Sequence, residues 1–308
     1  MPNTRSIQTI VAATDFSADA AAAVDWAAQV AREHSAQLVL VHAATITTPV
    51  APEFISLHEA SFGELRAHAG ETLDGLAAAL EKTGLAVDTV LTDGPAAAAV
   101  LDVAAQHGAD LIVAGTRGLT GWKRIVLGSV AARLVRKALC PVVTVHAEDT
   151  VRHRPVRTIL VPTDFSDDAM KAAEAAGAIL GEAGPEPCLV LLHVYRYPLV
   201  LTSMAMPVLT ASPDEVILTA HGEMSALEDR FSRSGLRVET CVAQGTPPQV
   251  ILDQARSVGA DLIAMGTHGR SGLDRLLLGS TAERVLSSAP CPILTVRDVS
   301  AAEMSSRT

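Results

Sequence analysis

Asp110-Leu111-Ile112-Val113-Ala114-Gly115-Thr116-Arg117-Gly118, followed after nine residues by Gly128-Ser129, recurs as Asp261-Leu262-Ile263-Ala264-Met265-Gly266-Thr267-His268-Gly269, followed after nine residues by Gly279-Ser280. An aliphatic run that stops at spaced glycines and resumes at Gly-Ser reads as a buried strand, a close-approach loop and a helix start. Such a unit found twice means one site built twice.

The repeat extends outward from these loops. Cys140-Pro141-Val142-Val143-Thr144-Val145 returns as Cys291-Pro292-Ile293-Leu294-Thr295-Val296 at an offset of 151 (291 − 140), and His42 and Gly94 match His193 and Gly245 at the same offset. Ala13-Thr14-Asp15-Phe16-Ser17 matches Pro162-Thr163-Asp164-Phe165-Ser166 at 149 (164 − 15), so the second copy gains two residues before its second strand. The chain is a tandem duplication, with domains expected at 1–147 and 154–299 and a short polar linker, Glu148 to Pro155, that keeps the copies close.

The 308 residues suffice for two ordinary domains, each with its own core, and 49% hydrophobic against 19% charged residues describes a globular chain. A net charge of −10 argues against a nucleic-acid partner, which calls for a basic footprint. Met1 to Ile7 holds no apolar stretch of signal-peptide type, and no run approaches the roughly 18 apolar residues of a membrane span. A cytoplasmic location without a membrane partner is expected. Cys140, Cys188, Cys241 and Cys291 form no Cys-x-x-Cys and are assigned no chemistry; Cys140 and Cys291, before the last strand of each copy, are read as small buried thiols.

Short β-branched runs alternate with Ala-rich helical stretches, the pattern of a parallel sheet covered by helices on both faces. Strands are expected near Thr9 to Ala13, Gln37 to His42, Val87 to Leu91, Asp110 to Ala114 and Val142 to His146. In the second copy they fall near Thr158 to Val161, Cys188 to Val194, Arg237 to Val242, Asp261 to Met265 and Ile293 to Val296. All are expected to be buried on both faces. Helices are expected from Ser17 to Glu33, from Phe54 to Lys82, from Gly94-Pro95 to His107-Gly108, and from Gly128-Ser129 to just before Pro141. The least similar segment, Tyr195 to Pro213, is either a loop packed on its own domain or a lid or partner surface.

Each glycine loop leaves the carboxyl end of a fourth strand, where open parallel sheets bind ligands. Gly115 and Gly118 allow close approach to an anion and φ > 0 where required, while Gly128-Ser129 offers free N–H groups at a helix start. No Gly-Lys pair occurs, so a Walker A loop is absent, and no Gly-x-Gly-x-x-Gly follows either first strand. Neither His-Glu-x-x-His nor Gly-x-Ser-x-Gly occurs. Several residues keep two readings. Asp15 and Asp164 are helix caps or nucleotide contacts, and Arg124 and Arg275 are solvated or phosphate-facing. His42 and His193 are hydrogen-bonded structural residues or catalytic ones; Asp110 and Asp261 read as turn residues.

Thr-Asp-Phe-Ser at the first strand end, the Gly-x2-Gly-x9-Gly-Ser loop and the closing Cys-Pro strand together resemble the universal stress protein family in its tandem form, over Gln8 to His146 and Arg157 to Arg297. The resemblance implies an α/β fold of two tandem open five-stranded parallel sheets, order 3-2-1-4-5, Rossmann-like and adenine nucleotide alpha hydrolase-like. It implies ATP as ligand, with Mg carried by the nucleotide and no protein metal ligand beyond Asp15 and Asp164. In the first copy Asp15, flanked by Ala13 and Thr14, meets the ribose or adenine side, and Ala43 meets adenine. Gly115, Arg117, Gly118, Gly128, Ser129 and Val130 hold the phosphates, with Ala114 beside them. In the second copy Asp164, with Pro162 and Thr163, and Val194 take the base and ribose side. Gly266, His268, Gly269, Gly279, Ser280 and Thr281 take the phosphates, with Met265 beside them.

The function implied is a nucleotide-dependent regulator of the stress response with at most slow ATP hydrolysis. The other reading is an ATPase or phosphotransferase with a dedicated substrate; against it, the copies share no lysine at the loop, since Asp274 replaces Lys123. The last strands, Val142 to Val145 and Ile293 to Val296, are expected to pair within the chain, leaving room for a homodimer. The exchange of Arg117 for His268 predicts unequal sites, with phosphate attraction sensitive to pH in the second.

Overall fold

The computed structural model describes residues 6–44, 55–118, 127–148, 155–180, 187–196, 199–201, 207–209, 213–233, 235–268 and 278–297. They form two compact units, one spanning Ser6–Pro155 and one beginning at Val156.

The first unit runs β1 (Thr9–Ala13), α1 (Ala18–His34), β2 (Gln37–Ala44), α2 (Ile55–Glu81), β3 (Val87–Asp93), α3 (Ala96–Gln106), β4 (Leu111–Gly115), α4 (Ser129–Lys137) and β5 (Val142–Val145). Every pairing is parallel, β3 on β2, β2 on β1, β1 on β4 and β4 on β5, so β1 and β4 lie at the centre, where strand order reverses. Ile10, Val11 and Ala12 of β1 and Ile112 and Val113 of β4 are fully buried. Small residues make this tight: α1 lays Ala20, Ala23, Ala27 and Ala31 into the core, and its Ala-rich face lets the helix sit close to the strands. The Ser17 hydroxyl caps α1 by accepting from Ala20 N, and Ser35 ends it in the left-handed region at φ 53°.

The second unit repeats the plan with β6 (Thr158–Thr163), α5 (Asp167–Leu180), β7 (Cys188–Tyr195), a small antiparallel pair β8 (Leu199–Leu201) and β9 (Pro207–Leu209), then α6 (Pro213–Ser232), β10 (Arg237–Gln244), α7 (Pro247–Ser257), β11 (Leu262–Gly266), α8 (Ser280–Leu286) and β12 (Ile293–Val296). Here β10 pairs with β7, β7 with β6, β6 with β11 and β11 with β12, again all parallel. The segment between Tyr195 and Pro213 thus contains a hairpin-like pair, of which 199–201 and 207–209 are described.

The expectation that every strand is buried on both faces fails for β3 and β10, which expose Asp88 and Thr89, and Glu239 and Thr240. Each pairs on one side only within its unit, and an edge strand needs polar side chains where a central one does not.

Candidate functional site

The ends of β1 and β4 are bound to one another by side chains from α1. Asp19 is buried in the first turn of α1, and its carboxylate accepts from Thr116 Oγ1 (2.9 Å), Arg117 N (3.0 Å) and Ala147 N (3.1 Å). A buried carboxylate survives only with such donors, so the loop after β4 is fixed to the helix that follows β1. Asp168 does the same in the second unit, accepting from Thr267 Oγ1 (3.4 Å) and His268 N (3.1 Å). Thr116 also donates its N–H to Val145 O and accepts from Gly128 N at 2.7 Å. Thr267 repeats both bonds with Val296 and Gly279. The nine-residue excursion therefore starts and ends on one threonine. Sequence reasoning passed over Thr116, Thr267, Asp19 and Asp168; the signal was their presence in both copies.

None of the described loop glycines has φ > 0. Their requirement is space. A Cβ on Gly115 would stand 2.7 Å from the Asp19 carbonyl carbon and 2.8 Å from Ala20 N; one on Gly266 would stand 2.6 Å from Asp168 Cβ and 2.9 Å from its carbonyl carbon. Gly118 is pressed against Asp15, whose Oδ2 would lie 2.6 Å from an added Cβ. The Thr-Asp-Phe-Ser turn thus meets the glycine loop directly.

That turn carries the only described non-glycine residues with φ > 0 besides the Ser35 cap: Phe16 at 63° and Phe165 at 65°. Such a backbone costs about 1–3 kcal/mol and persists where the surroundings impose it. Here Thr14 Oγ1 accepts from Phe16 N, Asp15 Oδ1 accepts from Ser17 N, and the Phe16 ring stacks on His42 at 4.5 Å. The Phe165 turn is held alike. His42 and His193 donate Nδ1–H to the carbonyls of Thr14 and Thr163 at 2.8 Å, which gives them the structural role. Ser17, not Asp15, is the cap of α1. Asp110 and Asp261 exceed their expected turn role: each accepts two backbone N–H groups at the start of its unit's first strand, Gln8 and Thr9 or Arg157 and Thr158.

A cavity opens at each switch point. The first measures about 530 Å³ and the second about 440 Å³, within the range of small-ligand sites. Ala13, Thr14, Asp15, Ala43, Ala114, Gly115, Arg117, Gly118, Gly128, Ser129 and Val130 all line the first. Pro162, Thr163, Asp164, Val194, Met265, Gly266, His268, Gly279, Ser280 and Thr281 line the second, and Gly269 lies outside the described residues, as do Lys123, Arg124, Asp274 and Arg275. Sequence reasoning missed the wall given by the third helix of each copy, Ala96, Ala97 and Val100 in α3 and Pro247 and Ile251 in α7, and it missed Arg133 of α4. One side of each cavity is apolar. On the other side, buried side-chain nitrogens lack partners among the described residues: Arg117 Nε in the first and His268 Nε2 in the second. Stranding such a group costs about 1–3 kcal/mol, so a polar ligand fits there, one rich in acceptors beside Arg117.

Among the described residues no three His, Cys, Asp or Glu side chains gather to hold a metal ion, and no helix is long and apolar enough to cross a membrane. Burial pushes the Cys140 thiol up to about 12 and raises Cys188, which keeps both protonated at neutral pH.

The family model for the universal stress protein family matches residues 6–146 and 155–297. A universal stress protein of Mycolicibacterium smegmatis is 29% identical over 94% of this chain and 96% of its own. Another, from Mycobacterium tuberculosis, is 28% identical over 94% and 96%. The crystal structure of a universal stress protein from Archaeoglobus fulgidus, 21% identical, superposes with a TM-score of 0.72 over 94% of this chain and 98% of that one, which establishes the shared fold.

Proposed function

This chain belongs to the universal stress protein family, with a function in the stress response, and from that premise we propose that each of its two domains binds ATP. The observation that carries this reading is the pair of buried side-chain nitrogens without partners among the described residues, Arg117 Nε and His268 Nε2, at equivalent places in two cavities whose opposite walls are apolar. Adenine suits the apolar side, by Ala43 in one copy and Val194 in the other. Asp15 and Asp164 take the ribose side and any magnesium that arrives with the nucleotide. The phosphates lie along the glycine loop, where backbone N–H groups can point at them without an intervening Cβ. Asp19 and Asp168 hold the loop backbone to the first helix of each copy and so fix the groups that would meet the phosphates. The protein acts as a nucleotide-dependent regulator.

Native mass spectrometry of the purified chain, with ATP titrated in, tests the reading. Two ATP masses per chain are expected, and each is lost separately in Gly128→Val and Gly279→Val. A chain that takes up no nucleotide overturns it. The same spectra separate one chain from the homodimer.

A further inference from the structure

His268 is held along one edge of its ring. Its Nδ1 lies 3.0 Å from Thr267 Oγ1 and 3.5 Å from Asp168 Oδ2, and the Thr267 hydroxyl donates to that carboxylate at 3.4 Å. A hydroxyl has one proton to give. With it directed at Asp168, Thr267 Oγ1 accepts from the ring, so Nδ1 carries the hydrogen of the neutral imidazole. Nε2 is then a bare lone pair, buried and without a partner among the described residues, on a side chain that lines the cavity. Fully ionised phosphate oxygens also offer only lone pairs. The two can meet only if Nε2 gains a proton.

Among the described residues the charged groups around the ring are few. Asp168 approaches from α5, and its side chain is only 8% exposed. Asp164, after β6, lines the same cavity, to which α8 contributes the uncharged Ser280 and Thr281. Arg297 follows Val296, whose carbonyl accepts from Thr267 N at 2.9 Å. The first copy exchanges the two cationic positions: Arg117 stands where His268 does, and His146 where Arg297 does. His146 sits behind the loop, its Nδ1 2.5 Å from Thr116 Oγ1, and does not line the cavity.

Resting on the reading of these cavities as ATP sites, we propose that phosphate binding in the second copy takes up a proton from solvent onto His268 Nε2, while Arg117 binds phosphate in the first without that uptake. Asp168 and Thr267 act as positioning residues by occupying Nδ1. No covalent bond is made or broken; the buffer loses the proton and the imidazole gains it. A guanidinium stays charged at any physiological pH, whereas an imidazole titrates across it.

The test is calorimetric titration of ATP at pH 8 in two buffers of different ionisation enthalpy, on the full chain and on His268→Gln and His268→Arg. Proton uptake by ATP itself is common to all three and cancels in the difference. The unaltered chain is expected to take up more protons than either variant, and its second-site affinity to fall between pH 6 and 8 by up to about tenfold per unit beyond theirs. His268→Arg keeps tight binding without the excess, so the test survives if the Gln variant folds poorly. Equal uptake with binding retained overturns the inference and leaves the ATP reading standing. Failure of the unaltered chain to bind ATP overturns both.

Discussion

The first cavity is walled by Ala13, Val41, Ala43, Ala96, Val100 and Ala114; at the equivalent places the second carries Pro162, Leu192, Val194, Pro247, Ile251 and Met265, every one of them larger. The volume falls accordingly, from about 530 to about 440 Å³. On the phosphate side Arg117 and Arg133 line the first cavity; among the described residues His268 is the one cationic candidate lining the second, where Arg284, the counterpart of Arg133, is not on the wall and Glu283 of α8 replaces Ala132. Behind these walls little has changed. The same threonine, buried aspartate, glycine contacts and strained phenylalanine recur. The frame is fixed by backbone-to-backbone distances that tolerate no substitution, and divergence has gone into side chains that face the ligand.

The strongest challenge to a shared frame is Gly115→Ala beside Gly266→Ala. An added methyl meets backbone atoms in both copies, and the Cβ of Asp168 as well in the second, so each variant should lose roughly 1–3 kcal/mol. Scanning calorimetry reads the loss. A variant that melts like the parent in one copy only would break the equivalence there.

Next in size is the phosphate side. Arg117→Ala removes a charge-assisted contact worth roughly 1.5–3 kcal/mol, which should weaken ATP at the first site at all pH values. The matching His268→Ala should cost much at pH 6 and little at pH 8. Site-resolved native mass spectrometry at the two pH values separates them, and equal losses at both would dissolve the contrast.

Much of this was legible in the chain because duplication doubles every signal. Gly-x2-Gly-x9-Gly-Ser marked both cavities, and nearly all the residues it implied stand on their walls, because a glycine required by close backbone approach leaves a trace in sequence. The Asp19 clamp left a weaker one: an aspartate in the first turn of an Ala-rich helix looks like a helix-start preference until its partners, 97 and 128 residues away, are seen. The α3 and α7 walls left none, since Ala96 and Val100 read as ordinary core. The edge character of β3 and β10 was misread because alternation in so short a strand does not reveal which neighbour is missing.

The smallest effect concerns the apolar walls, and it asks whether the wall residues set base selectivity or simply fill space. An ATP analogue carrying a benzyl group on adenine N6 should enter the roomier first cavity more readily than the second. Ala43→Val with Val100→Ile brings the first wall to the second's size at those two positions, and a change of that kind is worth about 1 kcal/mol, several-fold in affinity. Affinity alone would confuse this with altered stability, so the quantity to measure is the ratio of analogue to ATP binding at each site. That ratio should fall at the first site in the double variant and rise at the second in Val194→Ala with Ile251→Val. If both ratios stay fixed, the bulk that separates the two cavities lies beside the base and not against it, and the contrast between the copies reduces to Arg117 and His268.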